Sequence, residues 1–272
     1  EAREDLLVVD RLKTQFFTYG GVVEALDEVS FEIKRGEIFG LVGESGCGKS
    51  VTATSILRLV AKPGKIISGR VLLDGQDLLE KSDHEMNSIR GSRIAMIFQD
   101  PTSSLNPVFR IGRQVAEPYV YHQHRGKRQA LKDATTILAK TGFPDADEKA
   151  RNYPHELSGG LRQRAMIAMS LTCEPDLLIA DEPTTNLDVT IGRQILDLVK
   201  DLQREFGASV LWITHDMAVV AQMCDRVGVM YAGNIVEKTD VRTLFRNAKH
   251  PYTVRLLRAI PSSPAGSILT GM

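Results

Sequence analysis

The 272-residue chain has little cysteine: Cys47, Cys173 and Cys224 are odd in number and far apart. That spacing writes neither a disulfide framework nor a zinc pattern, and it fits a reducing cytoplasm. Long apolar runs are missing. Residues 38–42 and 177–180 are strand-sized, whereas a spanning helix needs about 20 apolar residues, so a membrane role is expected to come through a partner. Charge of one sign is missing too. The 34 Lys+Arg balance 34 Asp+Glu, which gives no support to a general nucleic-acid footprint. Residues 1–5 lack the basic-then-apolar layout of a signal peptide. They also lack an initiator methionine, so a trimmed N-terminus is expected. What remains is an ordinary globular composition, 43% hydrophobic and 25% charged, with length for one large or two modest domains.

Along the chain, the first third reads as strands. Residues 6–9 are apolar, and Val29, Phe31 and Ile33 alternate with polar neighbours as on a half-buried strand. Residues 37–42 read as a buried strand, followed by a glycine-rich loop and then helical spacing at Ile56, Leu57 and Val60. Val71 and Leu73, closed by Asp74-Gly75, predict another strand. From about 112 to 152 there are helix formers and no convincing strand. Ala130, Leu131, Ala134, Ile137 and Leu138 make a helical stripe there, which predicts a helical insertion. The last third alternates: strands at 177–180, 210–214 and 227–231, with a helix over 191–206 burying Ile195, Leu198, Val199 and Leu202. Alternation of this kind predicts an α/β fold with a mostly parallel sheet.

Three segments carry chemistry. Gly43-Glu44-Ser45-Gly46-Cys47-Gly48-Lys49-Ser50 matches the P-loop pattern, with an apolar strand before it and a helix after it. Its glycines let backbone N–H groups curl around phosphate oxygens, and the helix N-terminus adds about half a positive charge. Lys49 is expected to pair with the β and γ phosphates and the Ser50 hydroxyl to ligate Mg²⁺. The apolar strand 177–180 ends in Asp181-Glu182. An acid there suits the Mg²⁺ shell, and Glu182, one residue on, suits a general base for an attacking water. The third segment is Leu157-Ser158-Gly159-Gly160-Leu161-Arg162-Gln163-Arg164. Ser158 caps a helix whose first residues are glycines, a second phosphate-shaped helix start. Two such starts suit a nucleotide shared between two copies.

In this order the motifs resemble those of ATP-binding-cassette (ABC) ATPases, over nearly the whole chain: Walker A at 43–50, Gln99, the signature at 157–160, Asp181-Glu182, Asn186-Leu187-Asp188 and His215. The resemblance implies a P-loop NTPase core of ABC type with an inserted helical subdomain and an N-terminal antiparallel β portion. The core would take residues 1–95 and 158–235, the helical subdomain 96–157 and a tail 236–272. It also implies a head-to-tail dimer with two ATP molecules at the interface. Each ATP is held by one protomer's Gly43, Glu44, Ser45, Gly46, Cys47, Gly48, Lys49, Ser50 and Val51, and by the other's Ser158, Gly159, Gly160, Gln163 and Asp188. Gln99 would touch Mg²⁺ and the water, alongside Ser50 and Asp181. His215 would contact the γ-phosphate. Tyr19 resembles the aromatic that stacks on adenine, a core aromatic being the competing reading. Val51, Leu161 and Asn186 depart from the commonest family pattern without removing a catalytic group.

Residues 98–107 (FQDPTSSLNP), Gly43-Glu44-Ser45-Gly46, Asp181-Glu182-Pro183-Thr184-Thr185 and the tail His250-Pro251-Tyr252-Thr253 through Leu256-Leu257-Arg258-Ala259-Ile260-Pro261 resemble the dipeptide and oligopeptide importer ATPases, a clan that includes nickel importers. The implied partners are a second ABC ATPase subunit (a copy or a paralogue), two permease subunits and, indirectly, an extracytoplasmic solute-binding protein, with no nucleic acid. The implied location is peripheral, on the cytoplasmic face of the membrane. Some members of this group continue into a cysteine-bearing segment that holds an iron–sulfur cluster. None is expected within residues 1–272. The rival is a soluble, non-transport ABC ATPase. It is disfavoured by the single cassette, the absent heptad run and the balanced charge.

Overall fold

The computed structural model describes residues 4–185 and 187–259. Asn186 and the tail from residue 260, including the end of the importer-like segment, lie outside the described residues. In chain order the first stretch contains β1 (Asp5–Thr18), β2 (Gly21–Lys34), β3 (Ile38–Val42), α1 (Lys49–Ile56), β4 (Gly64–Leu73) and β5 (Gln76–Asp77). The middle holds α2 (Asp83–Ile89), β6 (Ile94–Ile97), α3 (Pro101–Ser104), α4 (Ile111–Gln123), α5 (Lys127–Lys140), α6 (Ala146–Lys149), α7 (Gly159–Leu171), β7 (Leu177–Asp181) and α8 (Val189–Phe206). The last stretch adds β8 (Ser209–Thr214), α9 (Met217–Met223), β9 (Arg226–Tyr231), β10 (Asn234–Asp240), α10 (Val241–Asn247) and α11 (Pro251–Arg258). Two compact units result, one of residues 1–82 and 209–272, the other of 83–208.

The first unit contains two sheets. One is antiparallel, in the order β2-β1-β4-β5. In the other, β3 lies between β8 and β9 and pairs parallel with both, while β10 closes antiparallel on β9. The β1–β2 hairpin is far longer than the sequence predicts. Its distal half, with Val22 and Val23 more than half exposed, carries no alternating pattern that would mark a half-buried strand. Its proximal half does, and there Phe31 stacks on Phe39 of β3 with ring centroids 5.2 Å apart.

Every residue of β3 and β8 is buried. At the centre of β8, Trp212 is fully buried, and its indole N–H meets no acceptor among the described residues. Trp212→Ala is therefore expected to cost about 3–5 kcal/mol, read from denaturant unfolding. Trp212→Phe is expected to cost much less, because it removes an orphaned buried donor while keeping most of the apolar volume.

The second unit is largely helical, with β6 and β7 paired in parallel. Along α5 the buried face is Ala130, Ala134, Ile137 and Leu138. Leu131, expected in that stripe, is instead 47% exposed, since one residue is a 100° turn away from Ala130. On α8 the buried face is Gly192, Ile195, Leu196, Val199 and Leu202. Three of the four expected residues, Ile195, Val199 and Leu202, lie in it, while Leu198 is half-buried.

Candidate nucleotide site

In the first unit, β3 delivers the chain from the core into loop 43–48, and α1 starts at Lys49. Two glycines shape this loop. Gly48 sits at φ +113°, and a Cβ there would lie 2.7 Å from the Ala25 carbonyl oxygen. At Gly43 space decides: a Cβ would lie 2.2 Å from the Met230 carbonyl oxygen. The β9–β10 turn holds the loop from behind, with the Gly233 N–H donating to the Cys47 carbonyl at 3.0 Å. The concave side is left to polar groups. Glu44, Ser45, Gly46 and Ser50 are exposed and Val51 is half-buried. The first turn of α1 contains no acidic residue to cancel its N-terminal partial charge. Lys49 is only 5% exposed, and its Nζ donates to the carbonyls of Gly43 (2.8 Å) and Glu44 (2.9 Å). The ammonium thus already lies along the loop, bound to groups a phosphate can replace. Cys47 is buried, and that burial pushes its thiol up from the usual range, so it is a packing group.

Tyr19 lies at the tip of the β1–β2 hairpin and is fully exposed, which excludes the core-aromatic reading. His215 follows β8 and is exposed. Next to it, Asp216 caps α9 by accepting from the Ala218 N–H at 2.8 Å.

In the second unit, β7 is buried throughout and ends on Asp181, 5% exposed. Glu182 follows at φ +45°, a left-handed backbone sparsely used by non-glycine residues and concentrated at functional positions. Its carboxylate accepts from the Thr185 hydroxyl at 3.0 Å and from the Gln99 amide at 3.5 Å. Gln99, just past β6, is exposed. The fold thus brings Gln99, Asp181 and Glu182 together at the carboxyl ends of two paired parallel strands, where α/β sheets bind ligands. Thr185 is the member that the sequence reading missed. A hydroxyl three residues after an acid is too common a pattern to stand out without the turn that closes it.

The second helix start lies in the same unit. Ser158 caps α7, its hydroxyl accepting from the Leu161 N–H at 3.4 Å. Gly159 is exposed and Gly160 half-buried. A Cβ on Gly160 would meet the Ile191 side chain at 2.9 Å, so α7 and α8 begin side by side. Asp188 caps α8, accepting from the Ile191 N–H at 2.9 Å, and is exposed. Gln163 is 1% exposed. Its side chain is enclosed by the protein's own residues, and its Nε2 finds no partner among the described residues.

A glycine loop wrapped onto a helix start behind a buried parallel strand, with a buried lysine lying along it, defines a P-loop nucleotide-binding protein. A profile described as ABC transporter matches residues 26–185. The chain is 50% identical over 259 residues to the dipeptide transport ATP-binding protein DppD of Bacillus subtilis, covering 95% of this chain and 77% of that one. It is 48% identical over 258 residues to the oligopeptide transport ATP-binding protein OppD of the same organism, covering 94% and 72%. Among solved structures, the dimeric post-hydrolysis ATP-binding cassette MJ0796, bound to ADP and Pi, superposes with a TM-score of 0.78 at 28% identity, covering 87% of this chain and 99% of that one. The chain belongs to the ABC transporter family, as an ATP-binding, ATP-hydrolysing subunit with the ABC-type α/β fold. Among the described residues no helix is long and apolar enough to cross a membrane.

Proposed function

We propose that this chain energises import of dipeptides or oligopeptides by binding and hydrolysing ATP against partner permease subunits. The observation that carries the reading is near-half identity, over about 95% of the chain, to proteins named for dipeptide and oligopeptide transport. In this reading loop 43–48 and the start of α1 cradle the phosphates, Lys49 moves from the Gly43 and Glu44 carbonyls to the β and γ oxygens, and Tyr19 stacks on adenine. Glu182 takes the proton of the attacking water, with Gln99 orienting that water and His215 contacting the γ-phosphate. A second ATPase subunit, a copy or a paralogue, presents Ser158, Gly159, Gly160 and Asp188 to the same nucleotide. The hydroxyl of Ser50, the carboxylate of Asp181 and the amide oxygen of Gln99 are hard oxygen donors that suit Mg²⁺. The ion supplies charge neutralisation of the phosphates when bound. The protein then works at the cytoplasmic face of the membrane, served by an extracytoplasmic solute-binding protein.

Affinity purification from detergent-solubilised membranes tests this directly. Two integral membrane permeases should accompany the chain, and ATPase activity of the isolated chain should be weak and rise in the complex. Recovery with ribosomes or DNA and no permease would overturn the transport reading.

A further inference from the structure

The first unit contains a contact to the P-loop that the nucleotide reading does not use. Glu44, the second residue of that loop, donates its backbone N–H to the hydroxyl of Tyr252 at 3.0 Å. Tyr252 lies in the first turn of α11, 208 residues further along the chain.

The position of that hydroxyl is built from several sides. The Tyr252 ring packs on Tyr231, at the end of β9, with centroids 4.5 Å apart. The His250 Nδ1 caps α11 by accepting from the Tyr252 N–H at 3.2 Å. The Glu237 carboxylate on β10 accepts from the backbone N–H groups of Lys249 (2.8 Å) and His250 (3.0 Å). Strands β9 and β10 are joined by the same turn whose Gly233 grips the Cys47 carbonyl. The His-Pro-Tyr segment is thus locked onto the hairpin that already backs the P-loop.

Glu44 is held on both of its peptide groups: its N–H by Tyr252, its carbonyl by Lys49 and, at 3.3 Å, by the Cys47 N–H. Once Lys49 turns to a phosphate, the carbonyl keeps the longer Cys47 bond, and the Tyr252 bond does not depend on the nucleotide. We propose that Tyr252 is a positioning residue for ATP binding, its hydroxyl holding the first turn of the P-loop in the phosphate-accepting shape. The inference rests on the P-loop being the nucleotide site. Through it the C-terminal segment acquires a direct influence on nucleotide affinity.

The test is Tyr252→Phe in the full chain, which keeps the ring on Tyr231 and removes only the hydroxyl. A single neutral hydrogen bond predicts ATP binding weakened about 2- to 10-fold, measured with a fluorescent ATP analogue. Amide exchange in nucleotide-free protein should speed up in the peptide covering residues 43–48 and stay unchanged in the β1–β4 sheet. The melting temperature should hold, which a general packing defect would not allow. Tyr252→Ala, lacking the ring as well, should bind ATP at least as poorly. Wild-type affinity and wild-type exchange at 43–48 in Tyr252→Phe would overturn the proposal. Failure of the wild-type chain to bind the analogue would instead overturn the nucleotide-site reading, whatever the exchange data show for the clamp.

Discussion

Glu182→Gln is expected to lower ATP turnover of the assembled transporter by about 10²–10⁴-fold, the usual cost of losing a general base, while ATP binding survives. The substitution keeps side-chain shape, so the bonds from Thr185 and Gln99 can still form to the amide oxygen. In the proposed site it removes a negative charge beside a negative γ-phosphate, which favours the nucleotide-bound state. The P-loop groups that bind phosphate are untouched. The variant should therefore accumulate as an ATP-bound dimer, seen as an earlier gel-filtration peak with MgATP, and the peak should shift back once ATP is withdrawn. Wild-type turnover by Glu182→Gln in the complex would show that the base lies elsewhere, with His215 the next residue to replace.

Lys49→Ala should act on binding instead. Its ammonium is the one long cation that the P-loop itself carries, and it lies 5% exposed against the loop's own carbonyls. Truncating one partner of a buried, hydrogen-bonded charge pair costs about 2–5 kcal/mol, which predicts ATP affinity reduced by about 30-fold or more. The substitution also removes the Lys49 bonds to the Gly43 and Glu44 carbonyls, so the empty loop loses part of its own support. Equilibrium binding with a fluorescent ATP analogue gives the readout, with a thermal melt to verify folding. Near-wild-type affinity would sink the assignment of Lys49 to the phosphates. Opposite signatures are thus expected from the two substitutions: Lys49→Ala fails to load, and Glu182→Gln loads and does not hydrolyse.

Much of this was readable without coordinates. The order strand, glycine loop, Lys-Ser, helix is a local pattern, and β3 and the start of α1 form where it places them, although α1 ends at Ile56, short of the expected Val60. Residues 177–181 are apolar up to one terminal acid, and the strand ends on that acid because its carboxylate needs a polar edge. The helix start at Ser158 is also local, since a side-chain oxygen two or three residues ahead of free amides is enough; the start of α8 at Val189, capped by Asp188, came two residues earlier than the sequence placed it. Reading failed where packing, not pattern, decides. Gln163 sits beside the signature glycines in sequence, yet the 100° step of the helix turns it into the core. The distal β1–β2 hairpin has no apolar alternation because both of its faces meet water. Tyr19 could not be told from a core aromatic until the hairpin carried it to an exposed tip.

By itself, then, the sequence determined the elements and the chemistry each motif can perform, because caps, glycine loops and apolar periods act within a few residues. Only the tertiary structure decided which distant groups share a hydrogen bond. It set Gln99 on the Glu182 carboxylate, and it carried Tyr252 back to the Glu44 N–H. Such pairings depend on strand order and register, which place residues up to 208 positions apart within 3.0 Å of each other. No local propensity encodes that closure. It exists because the buried faces of β3, β8 and β9 can be covered together in only a few ways.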